Sequence, residues 1–193
     1  MSASITLRPI LLRPWRPDDL LSLRAAIDES LPEVQRWLPW GKEEPSTLEQ
    51  LAARLDRYAQ DFAAGATLRF ALVDDADGTL LGTGALLRCD EPDVFEVGYW
   101  VRTSAAGQGI ATRASAALVR HAFRELGAAR MELWTLVGND PSMAVARRLG
   151  FVWRERRETS RRGAAPETFE IFDLPALGAL RAPEDASARV ELE

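Results

Sequence analysis

The stretch GYWVRTSAAGQGIATRASAALV, residues 98–119, decides how this chain folds. An apolar alternating segment, typical of a strand, passes into a turn that holds Gly107 and Gly109, and then into an alanine-rich run with helical spacing. Glycine lets a backbone approach a ligand closely, and the helix that follows presents free N–H groups and the positive end of its dipole. The stretch therefore predicts an anion site where a strand meets a helix.

A glycine-rich turn by itself is weak evidence for phosphate binding, because many such turns only change the direction of the chain. The segment GQGIATRAS is not a Walker loop, since it lacks the GK[ST] ending. It is not a dinucleotide fingerprint either, since it lacks the GxGxxG spacing. The identity of the anion therefore depends on the rest of the sequence.

Length and composition favour one domain. The 193 residues, 47% of them hydrophobic, suffice for one well-buried core, which we expect in residues 1–175. Residues 176–193, rich in Ala, Glu and Arg, are expected to form a loosely ordered tail. No run approaches the roughly 18 apolar residues of a membrane span. Arg8, Pro9 and Arg13 interrupt the first 15 residues, which therefore lack the apolar core of a signal peptide. The sequence predicts a cytoplasmic protein without a membrane partner.

Several chemistries are excluded by composition. Cys89 is the single cysteine, so an internal disulfide and a cysteine metal cluster are impossible. His121 is the single histidine, which removes most zinc and Ser/His/Asp chemistry, and we expect it to be structural. The net charge is −5, and no basic stripe alternates with aromatic residues, so we expect no nucleic acid. The acidic residues lie mostly in the first half of the chain, which suits a cationic partner such as an amine.

Periodicity predicts alternating strands and helices, and hence an α/β (α+β) fold. A first strand lies in ITLRPILLRPW, a short helix follows PDDL, and the proline-rich segment LPEVQRWLPWGKEEP is expected to be irregular. The remaining predicted elements are a helix over 46–65, strands over 66–74, 79–89 and 94–101, a helix from the glycine turn to about Leu126, a strand over 130–137, a helix over 140–150, and strands over 151–158 and 167–174.

This order of parts, ending in GNDPSMAVARRLGF, resembles the GNAT acyltransferase superfamily, and within it the RimJ/RimL-type ribosomal-protein N-terminal acetyltransferases. The resemblance covers roughly residues 5–173 and includes LRPWRPDD and RWLPW. It implies a mixed, mostly antiparallel twisted sheet flanked by helices and splayed between the strands at 94–101 and 130–137. It also implies an N-acetyltransferase that moves acetyl from acetyl-CoA to a primary amine by direct attack. The acceptor would be a protein N-terminus or a small cationic molecule. Whether the protein forms a homodimer is left open.

The resemblance assigns the cofactor contacts. The family turn carries Arg or Gln, two residues, Gly, one residue, then Gly or Ala; Gly109 and Ala111 match, whereas Ala106 replaces the first side chain. Gln108 and the backbone N–H groups are then expected to hold the phosphates. Asn139 would hold the pantetheine arm, and the strand backbone would bind the acetyl carbonyl and the same arm. The full set of expected cofactor-binding residues is Tyr99, Trp100, Val101, Ala106, Gly107, Gln108, Gly109, Ile110, Ala111, Thr112 and Asn139.

The resemblance also implies two catalytic residues, each with a structural alternative. Ser142 would protonate the departing thiolate, but Asn139 and Ser142 also suit the cap and first turn of a helix. Glu96 would deprotonate the amine through water, but it equally suits a strand salt bridge.

The acceptor side is less specific in sequence. Trp37 and Trp40 would form a wall of the acceptor pocket or pack in the core. The acidic residues around them, Glu29, Glu33, Glu43 and Glu44, suit a cationic amine. A non-catalytic acyl-CoA-binding or sensor module is the alternative function.

Overall fold

The computed structural model describes residues 8–161, 165–182 and 187–192. The described residues form eight strands: β1 Ile10–Pro14, β2 Thr67–Asp74, β3 Leu80–Arg88, β4 Val94–Val101, β5 Arg130–Leu136, β6 Val152–Thr159, β7 Glu167–Leu174 and β8 Ala188–Val190. They also form five α-helices: α1 Leu20–Glu29, α2 Leu31–Trp37, α3 Leu48–Ala63, α4 Ile110–Glu125 and α5 Asp140–Leu149. Residues 5–7 of the predicted first strand lie outside the described residues.

All eight strands join one sheet in the order β6-β7-β5-β4-β3-β2-β1-β8. Only the β4–β5 and β1–β8 pairs are parallel, and the other pairs are antiparallel. The predicted mixed, mostly antiparallel sheet is thereby confirmed.

Helices cover both faces of the sheet. We call the face under α4 and α5 the back face and the face under α1 and α3 the front face. Leu118 of α4 is fully buried in the back cluster, and Ile27 of α1 is fully buried in the front cluster. Gly84 lets α4 lie close to β3, because a Cβ at this position would stand 2.8 Å from Leu118 Cδ1.

The parallel strands β4 and β5 pair along only part of their length. Their register ends at the pair Glu96↔Glu132, although β4 continues to Val101 and β5 to Leu136. Past that pair each strand keeps only its other neighbour, β3 for β4 and β7 for β5. A gap therefore opens in the sheet, and the splay implied by the resemblance is confirmed.

Two segments differ from the sequence expectations. The segment expected to be irregular forms α2, because Pro32 stands in the first turn, where its missing N–H needs no partner. Within the expected tail, Ala188–Val190 pairs in parallel with β1, and the Ile10 N–H donates to the Ser187 carbonyl at 2.6 Å. The exposed edge of β1 accepts this strand because a strand edge presents unpaired backbone groups.

Candidate active site

The glycine turn forms the N terminus of α4. Gly107 and Gly109 have φ of 76° and 73°, the left-handed region that glycine adopts without strain. Gly109 is the N-cap and has no side chain with which to cap the helix. The Arg113 N–H donates to the Gly109 carbonyl at 3.1 Å, so the three residues before it have N–H groups without an intrahelical acceptor. The turn thus presents backbone donors to an anion.

There is also room for a ligand at the turn. Ala106 is exposed, and among the described residues no atom other than those of the glycine and its chain neighbours lies within 4 Å of where a Cβ on Gly107 or Gly109 would stand. The Gln108 amide donates to the Ser104 carbonyl at 3.2 Å, so this side chain would have to leave that bond to reach a phosphate. The open donors and the open space fit the pyrophosphate of acetyl-CoA.

The segment before the turn is anchored to the end of α1. The Glu29 carboxylate accepts hydrogen bonds from the Arg102 guanidinium, with Nε at 3.0 Å, and from the Ser104 N–H at 2.6 Å. These bonds, the one from Arg102 above all, lower the pKa of Glu29 to about 2. Ser30 Oγ accepts from the Thr103 N–H at 3.0 Å. The turn is therefore held in place before any ligand binds.

Two hydroxyl groups meet on the back face of the gap. The hydroxyl oxygens of Tyr99 on β4 and Ser142 on α5 lie 3.1 Å apart. Burial raises the pKa of the Tyr99 phenol to about 12, although the bond to Ser142 opposes the shift. Tyr99 therefore keeps its proton at neutral pH and can donate it to Ser142, which leaves the Ser142 O–H free to donate elsewhere.

Asn139 caps the N terminus of α5, which was the structural alternative to cofactor binding. Its Oδ1 accepts from the Ser142 N–H at 3.2 Å, and Pro141 stands in the first turn of α5. This contact fixes the backbone of Ser142 and so helps to hold its hydroxyl beside Tyr99. The capping role does not use the Asn139 amide nitrogen.

Glu96 lies on the opposite, front face of β4. It is 7% exposed, and its two carboxylate oxygens both accept from the Arg161 guanidinium, with Nη1 at 3.0 Å from Oε1. Arg161 in turn lies over the ring of Trp134, with 4.4 Å between its Cζ and the ring centroid. The structure thus contains the salt bridge that was the alternative to catalysis, at the last register pair before the gap.

A cavity of about 550 Å³ opens on this front face. Its lining includes Glu96, Arg161, Glu132 and Cys89. Burial opposes ionisation of Glu132, but hydrogen bonds from Trp134 and Arg154 outweigh it and lower the pKa of this carboxyl group. Burial, reinforced by the charges of Glu132 and Glu96, raises the pKa of the Cys89 thiol to about 12. The cavity thus combines paired charges with an unreactive thiol.

The two tryptophans expected in the acceptor wall do not line this cavity. In the described part of the chain its lining includes neither Trp37 nor Trp40, and their part in binding an acceptor stays a prediction. Trp37 Nε1 donates to Glu33 at 2.9 Å within α2. Trp40 packs on Trp100, with 6.2 Å between ring centroids, and so belongs to the edge of the front cluster.

The acidic residues around these tryptophans are largely engaged within the chain. Glu29 bonds Arg102, Glu33 bonds Trp37, and the buried Glu44 pairs with Arg54 at 2.8 Å. Three of the four members thus already have partners within the chain, and the expectation that the group suits a cationic amine stays a prediction.

Two features of the site were missing from the sequence analysis. The Tyr99 side chain was overlooked because only its backbone was assigned, although strand alternation places it on the same face as Phe95 and Val97. Arg161 lies 65 residues from Glu96, in an arginine-rich segment where nothing singles it out.

Comparisons with known proteins agree with this geometry. A model described as the Acetyltransferase (GNAT) domain matches residues 10–152. A curated Bacillus subtilis (strain 168) protein named "Putative ribosomal N-acetyltransferase YdaF" is 28% identical over 144 residues, which are 74% of this chain and 78% of that protein.

Two solved structures share the fold. RimL, a ribosomal L7/L12 alpha-N-protein acetyltransferase in complex with coenzyme A, superposes with a TM-score of 0.77 at 19% identity, covering 91% of this chain and 97% of RimL. Mycobacterium smegmatis RimJ in complex with CoA-disulfide gives a TM-score of 0.77 at 21% identity, covering 93% and 90%.

The split sheet and the uncapped glycine turn define an acyltransferase that takes its acyl group from CoA. The chain belongs to the GNAT acetyltransferase family. It is an acetyl-CoA-dependent N-acetyltransferase, with acetyl-CoA as cosubstrate. Within residues 8–161, 165–182 and 187–192, no group of three or more His, Cys, Asp or Glu side chains is placed to hold a metal ion.

Proposed function

We propose that this acetyltransferase modifies the α-amine of a protein N-terminus, with a ribosomal protein as the first candidate. The observation that carries the proposal is the gap between β4 and β5, which has the Tyr99–Ser142 hydroxyl pair on one face and the Glu96 carboxylate on the other. The names of the curated relative and of the two structural neighbours support the choice of acceptor.

In this proposal, backbone groups of the chain hold two parts of acetyl-CoA, the pyrophosphate and the pantetheine arm. The N–H groups of Ile110, Ala111 and Thr112 would hold the pyrophosphate at the start of α4. Residues 97–101 of β4 pair with β3 along one edge, and the other edge faces the gap, where its backbone groups would bind the pantetheine arm. When bound, acetyl-CoA supplies an acetyl group as a reactive thioester.

The proton transfers are divided between the two faces. In the proposed reaction a bond forms between the amine nitrogen and the acetyl carbon, and the bond from that carbon to sulfur breaks. Glu96 would take a proton from the amine on the front face, and the Ser142 hydroxyl would give a proton to the thiolate on the back face. Tyr99, which keeps its own proton, would donate to Ser142 as that oxygen gains negative charge.

The charge of the front cavity favours a peptide over a polyamine. Its lining contains five arginines and four acidic residues, so a small polycation would meet as much repulsion as attraction. A protein N-terminus carries one ammonium group beside neutral amides, which suits a cavity whose charges are largely paired. No helix among the described residues combines the length and apolar character needed to cross a membrane. We also propose that the protein acts in the cytoplasm, because new ribosomal proteins, its proposed acceptors, occur there.

The test measures thiol release from acetyl-CoA with a thiol-reactive dye. The acceptors are ribosomal-protein N-terminal peptides, the same peptides with an acetylated N-terminus, and spermidine. We expect release only with free N-terminal peptides, and mass spectrometry should locate the added acetyl on the α-amine. Release with spermidine but with none of the peptides would contradict the proposed acceptor. CoA binding without release on any amine would favour the non-catalytic sensor.

A further inference from the structure

We propose that Arg161 occupies the place of the acceptor's ammonium group, so that the acceptor must displace this guanidinium from Glu96 before it can react. The inference rests on the proposed function and names what the front side of that site recognises, which is a single cation. Arg161 is thus assigned as a specificity-determining residue of the acceptor site.

The surroundings of Arg161 form a site for a cation, which we call the cation box. The box consists of Glu96, whose two oxygens bind the guanidinium, and of the rings of Trp134 and Phe169. The Arg161 Cζ lies 4.4 Å from the Trp134 centroid and 5.5 Å from that of Phe169. A carboxylate with two aromatic rings attracts an ammonium group for the same electrostatic reason that it attracts a guanidinium.

The position of the guanidinium makes the opening of this pair part of acceptor binding. The pair leaves lone pairs on both Glu96 oxygens, but the guanidinium fills the space between this carboxylate and the rings of Trp134 and Phe169. Glu96 is 7% exposed, so little of the carboxylate is open to an incoming amine while Arg161 holds it. The Arg161 side chain is 23% exposed, and so its departure towards solvent is open.

Neighbouring arginines are held differently. Arg130 and Arg154 both bond Glu132 and Asp173, at 2.7 to 3.2 Å, and so their charges are already balanced within the sheet. Arg157 also lies over Trp134, at 5.4 Å, but it pairs with the half-exposed Glu155. Arg161 is therefore the arginine whose displacement would uncover Glu96. Arg156 does not line the cavity, and its Nε donates to Glu170 at 3.0 Å, so it offers the control.

An internal cation competes with the acceptor. If Arg161 fills the box about 90% of the time, the apparent affinity for the acceptor falls about tenfold below its intrinsic value. Removing the guanidinium should restore that affinity without changing the chemical step.

The test compares Arg161→Met with Arg156→Met, which removes a paired guanidinium from the same segment but outside the cavity lining. For Arg161→Met we expect the KM for a free N-terminal peptide to fall about tenfold, with kcat equal to or above that of the wild type. For Arg156→Met we expect a KM within about twofold of the wild type. Calorimetric titration should give the same CoA affinity for all three proteins.

A fall in kcat at unchanged KM would overturn the inference, because Arg161 would then orient Glu96 rather than compete with the acceptor. An unchanged KM and kcat in a folded Arg161→Met would overturn it as well. If the wild type acetylates no peptide, the proposed function and this inference both fail; if it does and KM does not fall, only this inference fails.

A measurement on the wild-type protein covers the case in which Arg161→Met does not fold. The Trp134 indole N–H signal is assigned by NMR with Trp134→Phe and then followed during titration with an unlabelled peptide in the presence of CoA. The free N-terminal peptide should shift this signal, and the acetylated peptide of the same sequence should not. Equal responses to the two peptides would overturn the inference.

Discussion

The two sides of the active site differ in how their polar groups are satisfied. At the start of α4, Gly109 leaves the helix uncapped, and the first N–H groups face open space. At the cation box, Glu96 is buried and fully engaged by Arg161. The cofactor side is therefore ready for an anion, whereas the acceptor side already holds a cation.

This difference indicates how the two substrates are received. The turn is anchored by Glu29 and Ser30 and needs no rearrangement to accept phosphates. The acceptor must exchange one cation for another, which makes its apparent affinity depend on the internal pair. We therefore expect acetyl-CoA to bind well without the acceptor, and the acceptor to bind through a local side-chain movement.

The largest effect should come from the hydroxyl pair. Ser142→Ala removes the proposed proton donor but keeps the backbone N–H that donates to Asn139 Oδ1, so α5 stays capped. We expect kcat to fall about 100-fold or more, with CoA affinity within about twofold of the wild type. Thiol release and calorimetry measure the two quantities. Ser22→Ala, on the exposed face of α1, is the control and should change neither. A kcat for Ser142→Ala within about threefold of the wild type would remove Ser142 from the mechanism.

The second-largest effect is expected on the cofactor side, at the glycine turn before α4. Gly109→Ala puts a methyl group among the open N–H groups and strains the backbone, so the KM for acetyl-CoA should rise about tenfold. Gly78→Ala is the matched control, because Gly78 has a φ of 75° and equally open surroundings in the β2–β3 turn. Both variants should lose about 1 kcal/mol of unfolding free energy, measured by denaturant titration. An equal rise in KM for both would mean that strain, rather than phosphate contact, explains the effect.

A smaller effect is expected at Tyr99. Tyr99→Phe removes the hydroxyl that supports Ser142 and leaves the ring in place. We expect kcat to fall about fivefold to tenfold, since one hydrogen bond to a charged oxygen is lost while the proton donor itself remains. Steady-state kinetics at saturating substrates provide the measurement. A loss as large as that of Ser142→Ala would instead make Tyr99 the proton donor.

The smallest effect concerns Cys89. With its pKa raised to about 12 by burial and by the charge of Glu132, this thiol is not ionised at pH 8. The native protein should therefore release no dye from a thiol-reactive disulfide over the time of an assay, whereas the unfolded protein should release one equivalent. Rapid labelling of the native protein would show that the front cavity is more open than these contacts indicate.

The sequence predicted the elements that follow a clear period. The strands around the glycine turn, α3 and α4 appear within a few residues of their expected bounds, because alternation and helical spacing reflect burial on one face. Short elements were harder: α2 has seven residues, with Pro32 in its first turn and Pro39 soon after its end, and β8 has three residues. Such segments are set by what they pack against rather than by their own pattern.

The same limit applies to the site. Gly107 and Gly109 were singled out because their turn lies within consecutive residues of the chain, and Ser142 because the chain resembles the GNAT superfamily. The partners Arg161 for Glu96 and Ser142 for the Tyr99 hydroxyl depend on contacts over 65 and 43 residues, which no local pattern encodes. The acidic residues near Trp37 illustrate the same limit, since the sequence gives their charge but not whether that charge is already paired within the chain.

The most direct test of the account is a crystal structure of the protein with CoA and a free N-terminal peptide. We predict phosphate oxygens on the N–H groups at the start of α4, the pantetheine arm between β4 and β5, and the peptide amine beside Glu96 with Arg161 turned away. CoA bound elsewhere, or a peptide amine bound while Arg161 still holds both oxygens of Glu96, would contradict it.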